Sequence, residues 1–223
     1  MCLRWLSLDE YSSSKLYPDG RTPYCSTCTA AAYYGLTQEQ LTALYERSAG
    51  KCGLCGGTNE NGRRLSVDHD SSCCSGARSC GRCVRSLLCS ACNSGLGYFA
   101  DSVAVLRAAA EYVEAWTATG LRDVPEEPPQ GGKGRRWAKF RLSAAAYDDL
   151  LTSQDGRCAV CRSLPGARAL SVDHDHTCCP DKRSCGRCVR GLLCGRCNSG
   201  IGMFKDSPEL LRTAIAYVER YAN

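Results

Sequence analysis

Leu170-Ser171-Val172-Asp173-His174-Asp175-His176 stands between two cysteine pairs, Cys158-Ala-Val-Cys161 and Cys194-Gly-Arg-Cys197-Asn198, and its reading decides the fold. Apolar and polar residues alternate along it as on a half-buried strand, which places Asp173 and Asp175 on one face and His174 and His176 on the other, until the end of the strand bends that alternation. Val189-Arg190-Gly191-Leu192-Leu193 reads as the partner strand. It delivers the chain to the second cysteine pair, with Asn198 at the start of a helix. A hairpin that brings the two pairs together closes a zinc tetrahedron of Cys158, Cys161, Cys194 and Cys197, and four protein ligands leave no open position, so the role of that ion is structural.

The arrangement occurs twice. Cys52-Gly-Leu-Cys55, Val67-Asp68-His69-Asp70-Ser71 and Cys89-Ser-Ala-Cys92-Asn93 repeat it, and an offset of about 105 residues lays Ser66–Ser102 over Ser171–Ser207 with most positions identical. A repeat so long is a duplicated domain, because solenoid units recur at about 20–50 residues. The second zinc frame is then Cys52, Cys55, Cys89 and Cys92. Inside each hairpin lies a further set, Cys178, Cys179, Cys185 and Cys188, echoed by Cys73, Cys74, Cys80 and Cys83. Adjacent cysteines share an ion only across a sharp local turn, which Pro180 and Gly186 permit. The favoured reading is a second zinc per repeat; the alternatives are partial ligation or free thiols on an exposed loop.

A chain of 223 residues with 43% hydrophobic content, Gly 22 and Phe 3 is poor in large core residues, so something else must hold it together. The 19 cysteines are that something, as disulfides or as metal ligands. Met1-Cys-Leu-Arg-Trp-Leu-Ser-Leu-Asp9 does not resemble a secretory signal, so the expected compartment is the cytoplasm. There, Cys-x-x-Cys pairs bind zinc more often than they oxidise, and a structural zinc supplies about 10–16 kcal/mol of apparent binding free energy. Membrane spanning is not expected, since no apolar run approaches roughly 18 residues. A net charge of +5 permits nucleic-acid binding without proving it.

Four segments are expected: 1–35, 36–120, 121–137 and 138–223. In the first, Cys2, Cys25 and Cys28 flank the turn Tyr17-Pro18-Asp19-Gly20 and look like a zinc ribbon lacking one ligand, because Trp5 stands where a partner of Cys2 belongs. No function is assigned to it. The third is a Pro/Gly tether whose basic end, Lys133, Arg135, Arg136, Lys139 and Arg141, is read either as a solvated face or as a phosphate contact. Helices capped by Thr37 and Ser143 precede the first knuckle of each repeat, and Ser207-Pro208-Glu209 opens a last helix with the apolar stripe Leu210, Leu211, Ala214, Ile215 and Val218.

The order and spacing of knuckle, Asp-His-Asp-His strand and Arg190-Gly-Leu-Leu-Cys194-x-x-Cys197-Asn198 resemble the recombination endonuclease VII family of His-Me finger (ββα-metal) nucleases, over about residues 36–116 and 142–221. The resemblance implies an α+β fold of two tandem small zinc-stabilised ββα-metal domains joined by the Pro/Gly linker. It implies a DNA endonuclease with structural Zn2+ and catalytic Mg2+, in a bacterial or phage-infected host cytoplasm. Carried onto this chain, Asp173 and Asn198 hold Mg2+, His174 is the general base and His176 assists near the scissile phosphate. Asp68, Asn93 and His69 are the counterparts in the first repeat, where Ser71 departs from the pattern by replacing the second histidine. Serine bonds a phosphate oxygen but is no base near neutral pH, so the first repeat is slow or only binds DNA.

The family acts on branched DNA as dimers that exchange helices, which implies a Holliday-junction substrate and either a homodimer or a pseudo-dimer within one chain. Mg2+ chemistry suits these residue types, because the ion takes oxygen ligands and steadies charge on a phosphate. The 3 histidines of the chain all fall in the two motifs, which weakens a reading of them as core residues. Two rivals stand beside this reading: a sequence-specific nicking or homing-type nuclease, and a zinc-stabilised DNA-binding module without activity.

Overall fold

The computed structural model describes residues 6–76, 78–119, 121, 123 and 134–222. Cys2, Trp5, Lys133 and most of the Pro/Gly stretch lie outside these described residues. Packing divides the chain within one helix into two compact units, Met1–Asn93 and Ser94–Asn223. Both mix helices with two-stranded antiparallel sheets.

In the first unit a hairpin of β1 (Tyr11–Ser13) and β2 (Arg21–Cys25) leads into α1 (Ser26–Tyr33) and α2 (Gln38–Ser48). The Tyr17–Gly20 turn forms as expected: the Gly20 N–H donates to Tyr17 O at 2.9 Å, with Gly20 at φ +69°, where a side chain is strained. Thr37 caps α2, and the cap is reciprocal. Its hydroxyl accepts from the Gln40 N–H at 3.2 Å while the Gln40 amide oxygen accepts from the Thr37 N–H at 2.8 Å. Leu41 and Leu44 of α2 turn inward, over a second hairpin of β3 (Ser66–His69) and β4 (Val84–Leu88). The first residues of α3 (Ser90–Tyr98) close the unit.

The second unit holds the rest of α3, then α4 (Val103–Thr119), α5 (Arg135–Phe140), α6 (Ala144–Ser153), β5 (Ser171–His174), β6 (Val189–Leu193), α7 (Gly195–Met203) and α8 (Pro208–Tyr221). Ser143 caps α6 and Ser207 caps α8, each accepting from the N–H three residues on, at 3.0 and 3.2 Å. The strand read through His176 ends at His174. In β5–β6, Asp173 pairs with Gly191 but His174 pairs with Val189, so the register slips and Arg190 is left over as a bulge; β3–β4 slips at the same place. Gln154, the C-cap of α6, pairs with β6 much as another strand would: its amide donates to Leu192 O at 2.8 Å and accepts from Leu192 N–H at 2.9 Å.

Two helices from different repeats pack together here. Arg107 of α4 pairs with Glu219 of α8, and Glu114 of α4 with Arg212 of α8, so the two run antiparallel. Leu106, Ala109, Ala110 and Val113 face Leu211, Ala214, Tyr217 and Val218, and the alanines leave room for close approach. Tyr217 belongs to this stripe although the sequence pattern omits it, while Leu210 and Ile215 are only half-buried. Phe99 stacks on Phe204 with ring centroids 6.2 Å apart.

Candidate functional site

Sulfur geometry comes first, because the hairpins have little apolar mass of their own. In each of the four predicted sets the Sγ atoms all lie within 4.8 Å of one another: Cys52, Cys55, Cys89, Cys92; Cys158, Cys161, Cys194, Cys197; Cys73, Cys74, Cys80, Cys83; and Cys178, Cys179, Cys185, Cys188. A tetrahedral zinc with bonds of about 2.3 Å requires sulfurs about 3.8 Å apart, whereas a disulfide requires about 2.05 Å. Cys161–Cys194 measures 3.8 Å, Cys55–Cys89 3.9 Å, Cys178–Cys185 3.9 Å and Cys185–Cys188 3.8 Å. The four clusters could therefore hold zinc. Hydrogen bonds from Cys197 and Cys92 pull the Cys158 and Cys52 thiols each down to about 4, and the same contacts push Cys197 and Cys92 up, so that each close pair of sulfurs shares its proton unevenly. Backbone N–H groups of Cys197 and Cys185 point at Cys194 Sγ and Cys179 Sγ, at 3.5 and 3.3 Å, a polarity suited to thiolate.

The β5–β6 hairpin carries the motif carboxylates and imidazoles. Asp173 is buried and clamped from two sides: Arg190 Nε donates to its Oδ2 at 2.7 Å and Nη2 to its Oδ1 at 3.1 Å, and the Tyr112 hydroxyl of α4 donates to Oδ2 at 2.9 Å. Burial pushes the Asp173 carboxyl up, against the pull of Arg190 and Tyr112. Burial also disfavours the Arg190 cation, but Asp173 and then Asp206 outweigh it and hold its pKa above the ordinary arginine value. The register slip aims Arg190 inward. An arginine on the rim of a hairpin is ordinarily a surface residue or a phosphate contact, yet the Arg190 side chain is 1% exposed and bound to Asp173.

His174 is buried, and its Nε2 lies 3.0 Å from the carbonyl of Asp181. The rings of His174 and His176 are 4.5 Å apart, so the two predicted histidines do come together. His176 is held by a residue the motif reading did not single out: Asp206 Oδ2 accepts from His176 Nδ1 at 2.7 Å and from its backbone N–H at 3.1 Å. The other Asp206 oxygen faces Arg190 Nη2 at 3.3 Å, within ion-pair range but off a hydrogen-bond line. Asp175 turns to its own loop, its Oδ1 accepting from the N–H and hydroxyl of Thr177 at 2.8 and 2.7 Å. Asn198, on α7, has a buried side-chain oxygen that finds no partner among the described residues.

The first repeat reproduces the clamp. Arg85 Nε and Nη2 donate to Asp68 at 2.7 and 3.0 Å, Nη2 also reaches His69 O at 3.1 Å, and His69 Nε2 lies 3.2 and 3.0 Å from the carbonyls of Cys74 and Gly76. Asn93 is the fourth residue of α3, as Asn198 is of α7. Tyr112 and Asp206, missed from the motif, each had a signal in the repeat itself: Asp206 recurs as Asp101 in Phe-x-Asp-Ser, and Tyr112 as Tyr217 in Tyr-Val-Glu.

The family model for recombination endonuclease VII matches residues 27–115 and again 133–220. The chain belongs to the recombination endonuclease VII family. Its two matched regions are tandem copies, as the motifs imply, and each contains one Asp-His strand, one outer and one inner cysteine set. Among curated proteins it is similar to the Gene 59 protein of Mycobacterium phage D29, 39% identical over 83 residues, and to that of Mycobacterium phage L5, 36% identical over 83 residues. Each alignment covers 37% of this chain and 46% of the relative, so the chain spans about half the length of the curated relatives it matches. No solved structure matches. No helix among the described residues is long and apolar enough to cross a membrane.

Proposed function

We propose that this endonuclease VII family chain is a Mg2+-dependent DNA endonuclease that hydrolyses phosphodiester bonds, built from two His-Me finger modules and directed at branched DNA. The observation that supports it most is the orphaned Asn198 oxygen. A buried amide oxygen without a partner costs about 1–3 kcal/mol, and a hard cation is a partner it would accept. Asp173 fits the second ligand role, because its carboxylate receives three donors and about four lone-pair sites are present. A bound Mg2+ supplies charge stabilisation at the phosphate and the leaving oxygen.

The protein's own groups do the rest. The Asp181 carbonyl can only accept, so His174 Nε2 carries the proton and Nδ1 is left to take one from water. Asp206 accepts from His176 Nδ1, which leaves Nε2 for the substrate. Exposed Arg135, Lys139 and Arg141 on and after α5 extend a basic surface from Phe140, whose ring lies 6.0 Å from His174, and suit a phosphate backbone. The α4–α8 pairing supports a pseudo-dimer within one chain, with a cytoplasmic, phage-related setting suggested by the similar phage proteins. Because Ser71 stands where the second repeat has His176, the second repeat carries most of the cleavage.

The test is cleavage of a four-way junction and of a matched linear duplex with Mg2+. Wild type is expected to cut the junction preferentially, and Asn198→Ala to lose cleavage by at least about 100-fold while zinc content and DNA affinity stay close to wild type. Asn93→Ala should lose much less. Cutting at one fixed sequence in linear duplex would favour a nicking or homing-type enzyme, and no Mg2+-dependent cutting of any DNA would leave a binding module.

A further inference from the structure

The inner cysteine sets have no part in that chemistry, yet they shape the loops that touch its histidines. Pro180, Asp181, Lys182 and Arg183 are exposed, and the loop hangs between Cys179 and Cys185. Both ends belong to one cluster of sulfurs, with Cys178–Cys179 at 4.0 Å and Cys185–Cys188 at 3.8 Å, the edges of a zinc tetrahedron rather than of a disulfide. The carbonyl that meets His174 Nε2 at 3.0 Å is that of Asp181, in the middle of the loop. The first repeat has a different loop sequence, beginning Ser75-Gly76, but delivers the carbonyls of Cys74 and Gly76 to His69 Nε2. Two different loops strung on equivalent cysteine sets thus present the same acceptor to the same ring nitrogen.

We propose that each inner set is a zinc site that acts as a positioning device, fixing the loop carbonyl that locks the motif histidine in its Nε2–H tautomer. The contact between Ser184 N–H and Lys139 O, 2.9 Å, anchors one end of the second loop from outside, but no such bond reaches Asp181 itself among those between described residues. Without the ion the four sulfurs have no reason to stay within 4.8 Å of one another, and the loop's hold on the imidazole loosens. The outer set is unaffected, because its ligands sit on the knuckle and at the start of α7. This role rests on the nuclease reading only for its consequence in catalysis; the site and the tautomer stand apart from it.

The experiment uses the full chain and a Cys178→Ser/Cys185→Ser variant. Zinc content by elemental analysis is expected to be four per wild-type chain, one for each sulfur set, and three in the variant, with the circular dichroism spectrum retained. Long-range proton–nitrogen spectra of the imidazoles, recorded without DNA, should show His174 in the Nε2–H form alone in wild type and in a mixture of forms in the variant. Junction cleavage should fall about 10–100-fold, the range seen when the outer partner of a functional imidazole is removed. Two zincs in wild type would overturn the site. A lost zinc with an unchanged tautomer would overturn the positioning role. A wild type that cuts no DNA would sink the nuclease reading while leaving the spectra to decide this one. Should the double variant fail to fold, Cys178→His, which keeps a zinc donor, must retain four zincs and the single tautomer; cobalt exchange into wild type must give four thiolate-ligated ions, and two would refute the site.

Discussion

Arg190 and Asp173 show how one slipped register turns a surface-looking arginine into the least exposed cation at the site. Their side chains are 1% and 3% exposed, so neither charge has water to fall back on. Removing one partner of such a pair costs about 3–5 kcal/mol, while replacing both by apolar groups is often neutral. Arg190→Met is therefore expected to lose about 3–5 kcal/mol in urea denaturation of the zinc-loaded protein, and Arg190→Met/Asp173→Leu to recover part of it, because the buried Asp206 carboxylate that also faces Arg190 stays behind. An equal loss in the single and double variants would mean that the pair is not what the arginine contributes. Asp206 makes a different prediction. Asp206→Asn keeps the shape but removes the carboxylate that accepts from His176 Nδ1, so cleavage should drop about 10–100-fold with zinc content and thermal midpoint near wild type. Unchanged cleavage would strip Asp206 of its positioning role. The clustering of Asp173 and His174 on one hairpin beside the outer cysteine frame, with Asn198 in the helix that follows it, was legible from their spacing to the cysteines. Arg190 was not, since the bulge at Asp173/His174 depends on tertiary pairing that a two-residue alternation does not encode.

At the level of elements, two glycines per repeat separate packing from propensity. A Cβ on Gly200 of α7 would come within 2.7 Å of the Phe99 ring, and one on Gly95 of α3 within 2.7 Å of the Phe204 ring; Gly97 and Gly202 have nothing within 4 Å. Alanine in a helix gains about 0.5–1 kcal/mol over glycine, but overpacking a closed seam costs about 1–3 kcal/mol. Clash should win at the first pair and propensity at the second. Gly200→Ala and Gly95→Ala are expected to lower the thermal midpoint, and Gly202→Ala to raise it. If all of them raise it, the phenylalanines have room to move and the seam is not close-packed. The same seam marks the limit of sequence reading. The apolar stripes of α4 and α8 were visible as stripes, but a stripe names no partner, so that a helix from the first repeat packs against one from the second could be seen only in the fold.

For the whole molecule the deciding quantity is how much stability rests on metal. Among the described residues the largest fully buried side chains are one phenylalanine, eight leucines, an isoleucine and a valine, and both β-hairpins of the repeats are only two strands wide. Isolated two-stranded hairpins are marginal in water. A typical domain has about 5–15 kcal/mol of net stability, and a structural zinc contributes apparent binding free energy of about 10–16 kcal/mol, so loss of even the outer sets exceeds what packing can offset. Exhaustive chelation at neutral pH is therefore expected to abolish the cooperative thermal transition, with four zincs released per chain, and readdition of zinc to restore it. The α4–α8 contact alone should not survive, because its charged pairs, Arg107–Glu219 and Arg212–Glu114, are exposed and worth little. A chelated chain that kept its transition would place the stability in the helices and reduce the sulfur sets to ornaments on a fold that stands without them.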